Sequence, residues 1–216
     1  MFVSRLFLLS RSLYTPAMAR TATYDRDQAL EAAMELFWAK GYHATSMKDL
    51  EAVLSMRPGS IYAAFKSKEA LFRQTIDRYA DRMTADLRAL IASSPTPVDA
   101  LTQHLINLAD LSPSDRPSTA CMLVKSLLEL PQDAELRSFI ISHLDRVESI
   151  IADALRRAQE VGEIGPNVEP EGLSRRIQTY IFGLKVQAQR ETDPQRMRSL
   201  CSDLAAEIGH AAAATS

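Results

Sequence analysis

The chain has 216 residues, of which 46% are hydrophobic and 24% are charged, and its net charge is −2. This composition is that of a globular protein with a full hydrophobic core, and it excludes a disordered chain. The two cysteines, Cys121 and Cys201, lie far apart without metal-ligand spacing around them. They favour a reducing cytoplasm and argue against a disulfide framework or a metal site.

Charge is unevenly distributed along the chain. Residues 1–83 carry 12 basic and 9 acidic residues, a balance of +3, whereas residues 84–216 carry 13 and 18, a balance of −5. A basic part followed by an acidic part is typical of a polyanion-binding module joined to a module with another task.

The N-terminal stretch from Met1 to Leu9 is basic and apolar, and the first acidic residue is Asp25. Its apolar core is very short for a secretory signal and too short to span a bilayer. The sequence favours Met18 as the physiological start, with Met1 as the open alternative. We expect residues 1–23 to form a disordered extension.

Helical periodicity begins after this extension. Apolar residues recur at helical spacing from Leu30 to Trp38, and Gly41 follows where a left-handed helix end is expected. Phe37 and Trp38 are expected in the core between this helix and the next two. Ser46 then begins a stretch with capping-box spacing, which predicts another helix start.

Two short helices are predicted between Gly41 and Phe72. They share apolar positions and are joined by a tight turn at Ser55, and Pro58 suits the first position of the second helix. Ser67 is placed to cap a longer helix that follows. This is the arrangement of a helix-turn-helix, whose second helix enters the major groove of DNA.

Five further helical segments follow the Ser- and Pro-rich break at residues 93–97. They run roughly over residues 98–110, 118–130, 133–161, 170–190 and 194–213. No strand pattern of useful length is present. The sequence therefore predicts an all-α protein of about nine helices, with a small N-terminal three-helix module and a larger helical C-terminal domain.

The segment from Leu36 to Leu50, with Trp-Ala-Lys-Gly-Tyr-His-Ala-Thr-Ser-Met-Lys-Asp at its centre, resembles the TetR family of transcriptional regulators. The run Pro-Gly-Ser-Ile-Tyr-Ala-Ala-Phe-Lys-Ser-Lys-Glu-Ala-Leu-Phe, which begins at Pro58, continues the resemblance. It covers about residues 24–84 and implies a DNA-binding domain there, with the helix-turn-helix at about 47–66. An effector-binding and dimerisation domain is then expected over residues 85–213.

The resemblance also implies which residues meet DNA. Phosphate contacts are expected from Thr45 or Ser46, from Tyr62 and from Lys68, and Lys48 is expected near base edges with the start of the second helix. The full set is Thr45, Ser46, Lys48, Arg57, Pro58, Gly59, Ser60, Tyr62, Lys66 and Lys68.

This sequence departs from the family pattern at four positions. Ser55 stands where Gly is usual, Arg57 stands where a Ser or Thr cap is usual, and Ala63 and Ala64 replace larger residues. Readout is therefore expected to depend on Lys48 and Arg57, since arginine favours guanine through a bidentate contact.

Apolar stripes mark the last helices. Leu173 to Ala188 form one stripe, and Met197, Leu200, Leu204 and Ile208 form another. We expect the last two long helices to form a homodimer interface, with Gly183 and Ala188 permitting close approach. The alternative is that these stripes belong to the core of a single chain.

Apolar and polar side chains between the stripes suit a small-molecule pocket or an ordinary core. The pocket candidates are Cys121, Met122, Leu127, Phe139, His143, Tyr180 and Phe182. Cys121 opens a predicted helix with Lys125 one turn further, so a thiol that senses electrophiles or oxidants is an alternative to a buried, inert one.

The resemblance, with which these patterns are compatible, implies a repressor that binds a palindromic double-stranded DNA operator as a dimer and is released by a small molecule. The alternative is a thiol-based sensor using Cys121. No cofactor, metal or membrane partner is expected, and the cytoplasm is the expected location. An enzyme is disfavoured because hydrolase, metalloprotease, phosphate-loop and dinucleotide motifs are missing. A non-specific architectural binder is disfavoured by the small positive charge of the first module.

Overall fold

The computed structural model describes residues 25–112, 117–130 and 132–213. The predicted extension 1–23 and the choice between Met1 and Met18 lie outside these residues. The described part contains nine α-helices and no strand, which confirms the all-α prediction. The helices are α1 (Arg26–Lys40), α2 (Met47–Leu54), α3 (Pro58–Phe65), α4 (Lys68–Ser93), α5 (Pro97–Asn107), α6 (Met122–Glu129), α7 (Ala134–Glu160), α8 (Pro170–Arg190) and α9 (Pro194–Ala213).

The helix ends agree with the local chemistry of the sequence. Ser46 and Asp49 form a complete capping box at the start of α2, and Pro58 is the first residue of α3. The Ser67 side chain accepts a hydrogen bond at the start of α4. Helix α4 ends at Ser93, at the predicted break.

Two boundaries differ from the sequence expectation. Gly41 ends α1 with φ 86° and ψ 168°, so its φ is positive but the chain continues in an extended direction rather than in a left-handed turn. Helix α6 begins at Met122 instead of residue 118, because Thr119 is hydrogen-bonded to α8 and Cys121 is extended. The tertiary hydrogen bond of Thr119 thus helps to set the start of α6.

Two apolar clusters form the interior. One joins α1 to α4 with α6 and the start of α7, and buries Phe37, Leu50, Phe65 and Phe72 together with Met122. The other is built from α5, α7, α8, α9 and the second half of α4. Helix α4 runs without a break through residue 84, so the predicted border between residues 24–84 and 85–213 falls inside it. That border remains a prediction.

The apolar stripe on α8 and both ends of the stripe on α9 lie in the core of the single chain, as the alternative for these stripes expected, whereas Leu200 and Leu204 of the α9 stripe are only partly buried. A homodimer through the last two long helices remains a prediction. Leu173, Ile177 and Leu184 are at most 5% exposed, and Ile208 is fully buried. Ala188 is also buried, whereas Gly183 is exposed with no atom within 4 Å of a Cβ built there. Packing within the single chain already removes the buried side chains of the stripes from water.

Candidate nucleic-acid interface

Helices α2 and α3 are held together by a small shared core. Leu50, Ile61 and Phe65 are at most 1% exposed, as the sequence predicted. Ser55 between them has φ 51° and ψ 37°, a left-handed conformation that glycine adopts at lower cost. The unusual serine thus occupies the turn position predicted for it.

The N-terminal end of α3 is exposed, as a helix that enters a DNA groove must be. Arg57, Pro58, Gly59 and Ser60 all face solvent. The Arg57 side chain makes no capping hydrogen bond, which leaves its guanidinium available to a ligand. A Cβ built on Gly59 meets no protein atom within 4 Å, so its small size leaves the helix surface open.

Tyr62 and Lys66 extend this exposed surface. Tyr62 is 48% exposed, so its side chain is accessible on this surface. Lys66 ends α3 with φ 70° and ψ −49°, a positive φ that is rare outside glycine. Its exposed side chain lies beyond the last turn of α3.

The start of α2 presents a different surface. Thr45 is fully buried and its hydroxyl donates to the Gly41 carbonyl at 2.6 Å. Ser46 is exposed, but its hydroxyl belongs to the capping box with Asp49. Of the two alternatives for a phosphate contact, the exposed Ser46 is therefore better placed. Lys48, the second residue of α2, is exposed.

Lys68 is only partly exposed. Its Nζ lies 4.4 Å from the centroid of the Tyr42 ring, a cation–π contact. Burial lowers the pKa of Lys68, against the opposing charges of Glu129 and Asp49. Lys68 thus packs on Tyr42 while part of its side chain stays exposed.

Ion pairs that the sequence reasoning missed tie the module to α4. The Glu31 carboxylate accepts from Arg82 at 2.6 Å and from Arg78 at 2.9 Å. The hydrogen bond from Arg82 is the main reason that the pKa of Glu31 is lowered. Charge patterns alone could not identify these partners, because 47 and 51 residues separate them in sequence.

The predicted pocket residues do not share one location. Cys121 and Met122 are buried in the cluster of α1–α4, and Leu127 and Phe139 pack partly against it. His143 lies 3.0 Å from Asp77 on α4. The Tyr180 hydroxyl donates to Glu207 on α9 at 2.8 Å.

Phe182 lines an enclosed cavity between α4, α5, α7 and α8. The cavity measures about 20 Å³, room for about one water molecule. Its lining residues are Met83, Leu87, His104, Leu144, Val147, Gln178, Ile181, Phe182 and Lys185. The pocket assignment from sequence remains a prediction.

The cavity has three polar lining residues that the sequence analysis did not select. The Gln178 amide donates to the Leu144 carbonyl at 2.8 Å. Burial and, to a smaller extent, the nearby positive charge of Lys185 together lower the pKa of His104 to about 4. Helical spacing could have indicated Gln178 and Lys185, since both lie on the face of α8 that carries Ile181.

Within the described residues, no three His, Cys, Asp or Glu side chains come together in a way that could hold a metal ion. The helices of the same part of the chain are also too short or too polar to cross a membrane.

Two family models match the chain. The model of bacterial regulatory proteins of the tetR family matches residues 29–75, and the model of the C-terminal part of BetI-type transcriptional repressors matches residues 97–210. The chain belongs to the TetR family. The first match contains the helix-turn-helix, and the second contains the cavity-lining residues of α5, α7 and α8.

Relatives of this TetR family chain support the same assignment. The transcriptional repressor ComR of Escherichia coli (strain K12) is 29% identical over 183 residues, which cover 84% of this chain and 87% of ComR. The transcriptional regulator UidR of the same strain is 27% identical over 192 residues, 89% of this chain and 95% of UidR.

Among solved structures, a cysteine mutant of the TetR family regulator CifR complexed with 26-bp double-strand operator DNA has a TM-score of 0.78 and 26% identity. The match covers 87% of this chain and 98% of the CifR chain. This TetR family protein is therefore a DNA-binding transcriptional regulator.

Proposed function

We propose that this regulator is a repressor that binds a palindromic operator as a homodimer and is released by a small-molecule effector. The main support for the proposal is that the N-terminal end of α3 is exposed, while the core that joins α2 and α3 is buried. ComR is named a repressor, and the CifR mutant was solved with operator DNA, which supports the same role here.

Base readout is assigned to Lys48 and Arg57, with Pro58, Gly59 and Ser60 allowing the α3 backbone to approach the bases. Both basic side chains are exposed on neighbouring helix starts. The remaining contacts are to phosphates, which position the protein without reading sequence. Their proposed donors are Ser46, Tyr62, Lys66 and Lys68.

The homodimer is assigned to the exposed and partly buried positions of α8 and α9 rather than to the stripe residues that are buried in the single chain. Val186 is 54% exposed on α8, and Gly183 one turn earlier leaves space for a partner helix. Leu200 and Leu204 on α9 are only partly buried. A two-fold axis through such a face pairs it with itself and sets two α3 helices against two half-sites.

Effector binding is assigned to the cavity lined by His104, Gln178, Phe182 and Lys185. A cavity of about 20 Å³ cannot hold a larger molecule unless the surrounding helices move apart. An effector would therefore bind an expanded state preferentially and shift the population away from the DNA-binding state. The lining favours an apolar compound with an acceptor group that faces Lys185.

The thiol switch at Cys121 stays an untested alternative. The side chain is 2% exposed, and the Lys125 ammonium is directed to the carbonyls of α1. Mass spectrometry after mild oxidant treatment tests it: a modified Cys121 that accompanies loss of DNA binding would support the switch. Loss of DNA binding with Cys121 unmodified would exclude it.

Selection of bound duplexes from a random DNA pool tests the repressor proposal. We expect a palindrome whose half-sites lie about one helical turn apart, roughly 34 Å. Footprinting should then give protection restricted to that site, and the selected duplex allows compounds to be screened for release. Uniform protection without a preferred sequence would instead indicate an architectural DNA-binding protein.

A further inference from the structure

The outer face of α3 is set by its buried side. Ile61 and Phe65 are each 1% exposed and lie on one side of the helix. Ala63 is two residues from each of them, and two residues turn an α-helix by about 200°. Ala63 is therefore at the centre of the opposite face, and its side chain is exposed.

Contacts at the C-terminal end of α3 fix the rotation of the helix about its axis. The Arg26 guanidinium, at the start of α1, donates to the Ala64 carbonyl at 3.2 Å. It also donates to the side-chain oxygen of Gln74 on α4 at 2.5 Å, and its Cζ lies 5.1 Å from the centroid of the Phe65 ring. Helix α3 is thus held to α1 and α4, so the face that carries Ala63 stays directed outward.

Little side-chain bulk surrounds Ala63 on this face. Gly59 and Ser60 precede Ala63 by four and three residues, so they lie on the same face of α3, and both are exposed. A Cβ built on Gly59 meets no protein atom within 4 Å. The Ser60 hydroxyl can donate or accept a hydrogen bond, so it discriminates weakly between bases. A duplex can therefore approach the α3 backbone closely, and the side chain at the centre of the face is the Ala63 methyl group.

Helix α3 is the second helix of the helix-turn-helix and enters the major groove, where one base carries an apolar group. Thymine has a C5-methyl group there, whereas the other bases present hydrogen-bonding groups. An alanine methyl group cannot pair with a donor or an acceptor, and packing against one removes its water without replacing the hydrogen bond. The thymine methyl group is the partner that Ala63 can contact without this cost.

We propose that Ala63 is a specificity-determining residue that packs against the C5-methyl group of a thymine in each half-site. The proposal rests on the operator binding proposed above and adds an apolar contact to the base readout assigned to Lys48 and Arg57. It predicts a thymine opposite the middle of α3 in the operator. 5-Methylcytosine carries the same methyl group in the major groove, so we expect it to replace thymine in part.

The test changes the DNA, so the fold of the protein is not perturbed. The full chain is titrated with the duplex that selection from a random pool recovers. Each thymine is then replaced by deoxyuridine, which lacks only the methyl group, at symmetrical positions of both half-sites. We expect one position at which affinity falls by roughly 3- to 5-fold per half-site. The salt dependence of binding should not change there, because no phosphate contact is lost.

Cytosine provides a second comparison at the same position. A duplex with 5-methylcytosine in place of this thymine should bind more tightly than one with cytosine, because the methyl group is restored while the hydrogen-bonding groups of the base pair are the same.

A protein variant assigns the contact to Ala63. Ala63→Ser places a hydroxyl group beside the thymine methyl group, and we expect thymine and deoxyuridine then to be bound equally at this position. Ala85→Ser makes the same change at an exposed position of α4 and is the matched control. It should keep the wild-type preference for thymine.

The outcomes separate this proposal from the function on which it rests. If selection recovers no preferred sequence, the proposed operator binding fails, and the thymine contact fails with it. If a palindrome is recovered that contains no thymine or tolerates every deoxyuridine, operator binding stands and the thymine contact is refuted. If one deoxyuridine weakens binding equally in the wild type and in Ala63→Ser, another residue contacts the methyl group, which refutes the assignment to Ala63.

Discussion

Ser55 lies in the turn on which the angle between α2 and α3 depends. Its φ of 51° is a left-handed conformation, which is unfavourable for a residue with a β-carbon. We expect Ser55→Gly to stabilise the protein by about 0.5–1 kcal/mol, since relief of this strain exceeds the entropy that glycine adds to the unfolded chain. Chemical denaturation measures the difference.

Ser202 provides the control for this change, because it is exposed within α9. Ser202→Gly should destabilise the protein by about 0.5 kcal/mol, since glycine is the poorer helix former. If both substitutions changed stability in the same direction, the turn at Ser55 would not be strained.

His104 makes stability depend on pH in a defined direction. Its pKa of about 4 in the folded protein lies below the ordinary 6.5, so the unfolded chain binds a proton first as the pH falls. Between pH 6.5 and 4, the free energy of unfolding of the wild type should therefore fall by about 1–3 kcal/mol more than that of His104→Gln. Above pH 6.5, the pH dependence of stability of the two proteins should differ least.

The measurement is urea unfolding of both proteins across this pH range, so that carboxylates common to both cancel in the difference. His210→Gln, at an exposed position on α9, serves as the control. An identical pH dependence for wild type and His104→Gln would contradict a lowered pKa at His104.

At the scale of single elements, α3 and its flanking residues make two kinds of proposed DNA contact. One kind recognises bases, and the other attracts phosphates. Arg57→Ala should relax base preference at one position in each half-site, with a loss of about 1–3 kcal/mol on the preferred duplex. Lys66→Ala should weaken all duplexes alike and reduce the salt dependence of binding by about one counterion. Titrations of the selected and scrambled duplexes at several salt concentrations separate the two effects.

One outcome would contradict this division between Arg57 and Lys66. If Arg57→Ala and Lys66→Ala weakened every duplex by the same factor, Arg57 would be a phosphate contact and sequence would be read elsewhere on the surface.

Gly59 tests how closely α3 approaches DNA. A Cβ at this position meets no protein atom within 4 Å, so Gly59→Ala should leave the free energy of unfolding unchanged or raise it by at most about 1 kcal/mol. Operator affinity should nevertheless fall, because the added methyl group occupies space at the proposed interface. Thermal unfolding and duplex titration are the two measurements, and unchanged affinity would place Gly59 away from DNA.

At the scale of the whole molecule, two-fold assembly should depend on the outer face of α8. Val186→Arg introduces two charges in the dimer at the proposed contact and should shift the protein towards monomer in analytical ultracentrifugation. Operator affinity should fall with it, because each half-site is then bound separately. The helical circular dichroism should not change, since Val186 is 54% exposed in the single chain.

Val161→Arg is the matched control, because Val161 is 73% exposed in the loop between α7 and the start of α8, whereas Val186 lies near the other end of α8. A dimer that survives Val186→Arg but dissociates with Val161→Arg would place the interface elsewhere.

Much of this architecture could be predicted from local patterns. The capping box at Ser46, proline at the start of α3, the turn at Ser55 and the break after Ser93 all depend on neighbouring residues in the chain, so their structure follows from sequence. The exposed and buried sides of α2 and α3 were predictable for the same reason, because helical periodicity separates them.

Tertiary structure decided the rest. Periodicity identifies an apolar helix face but not its partner. The stripes on α8 and α9 were therefore interpreted as a dimer interface, with the core as the alternative, and packing placed most of their residues in the core. The salt bridges of Glu31 and the contacts of Glu129 join residues 47 to 87 positions apart, and no local pattern encodes such pairs. The sequence by itself determined that this protein binds DNA, since its helix-turn-helix is specified by short-range chemistry. Which side chains line the cavity, and how α6 reaches the turn before α2, depend on long-range contacts that only the folded chain contains.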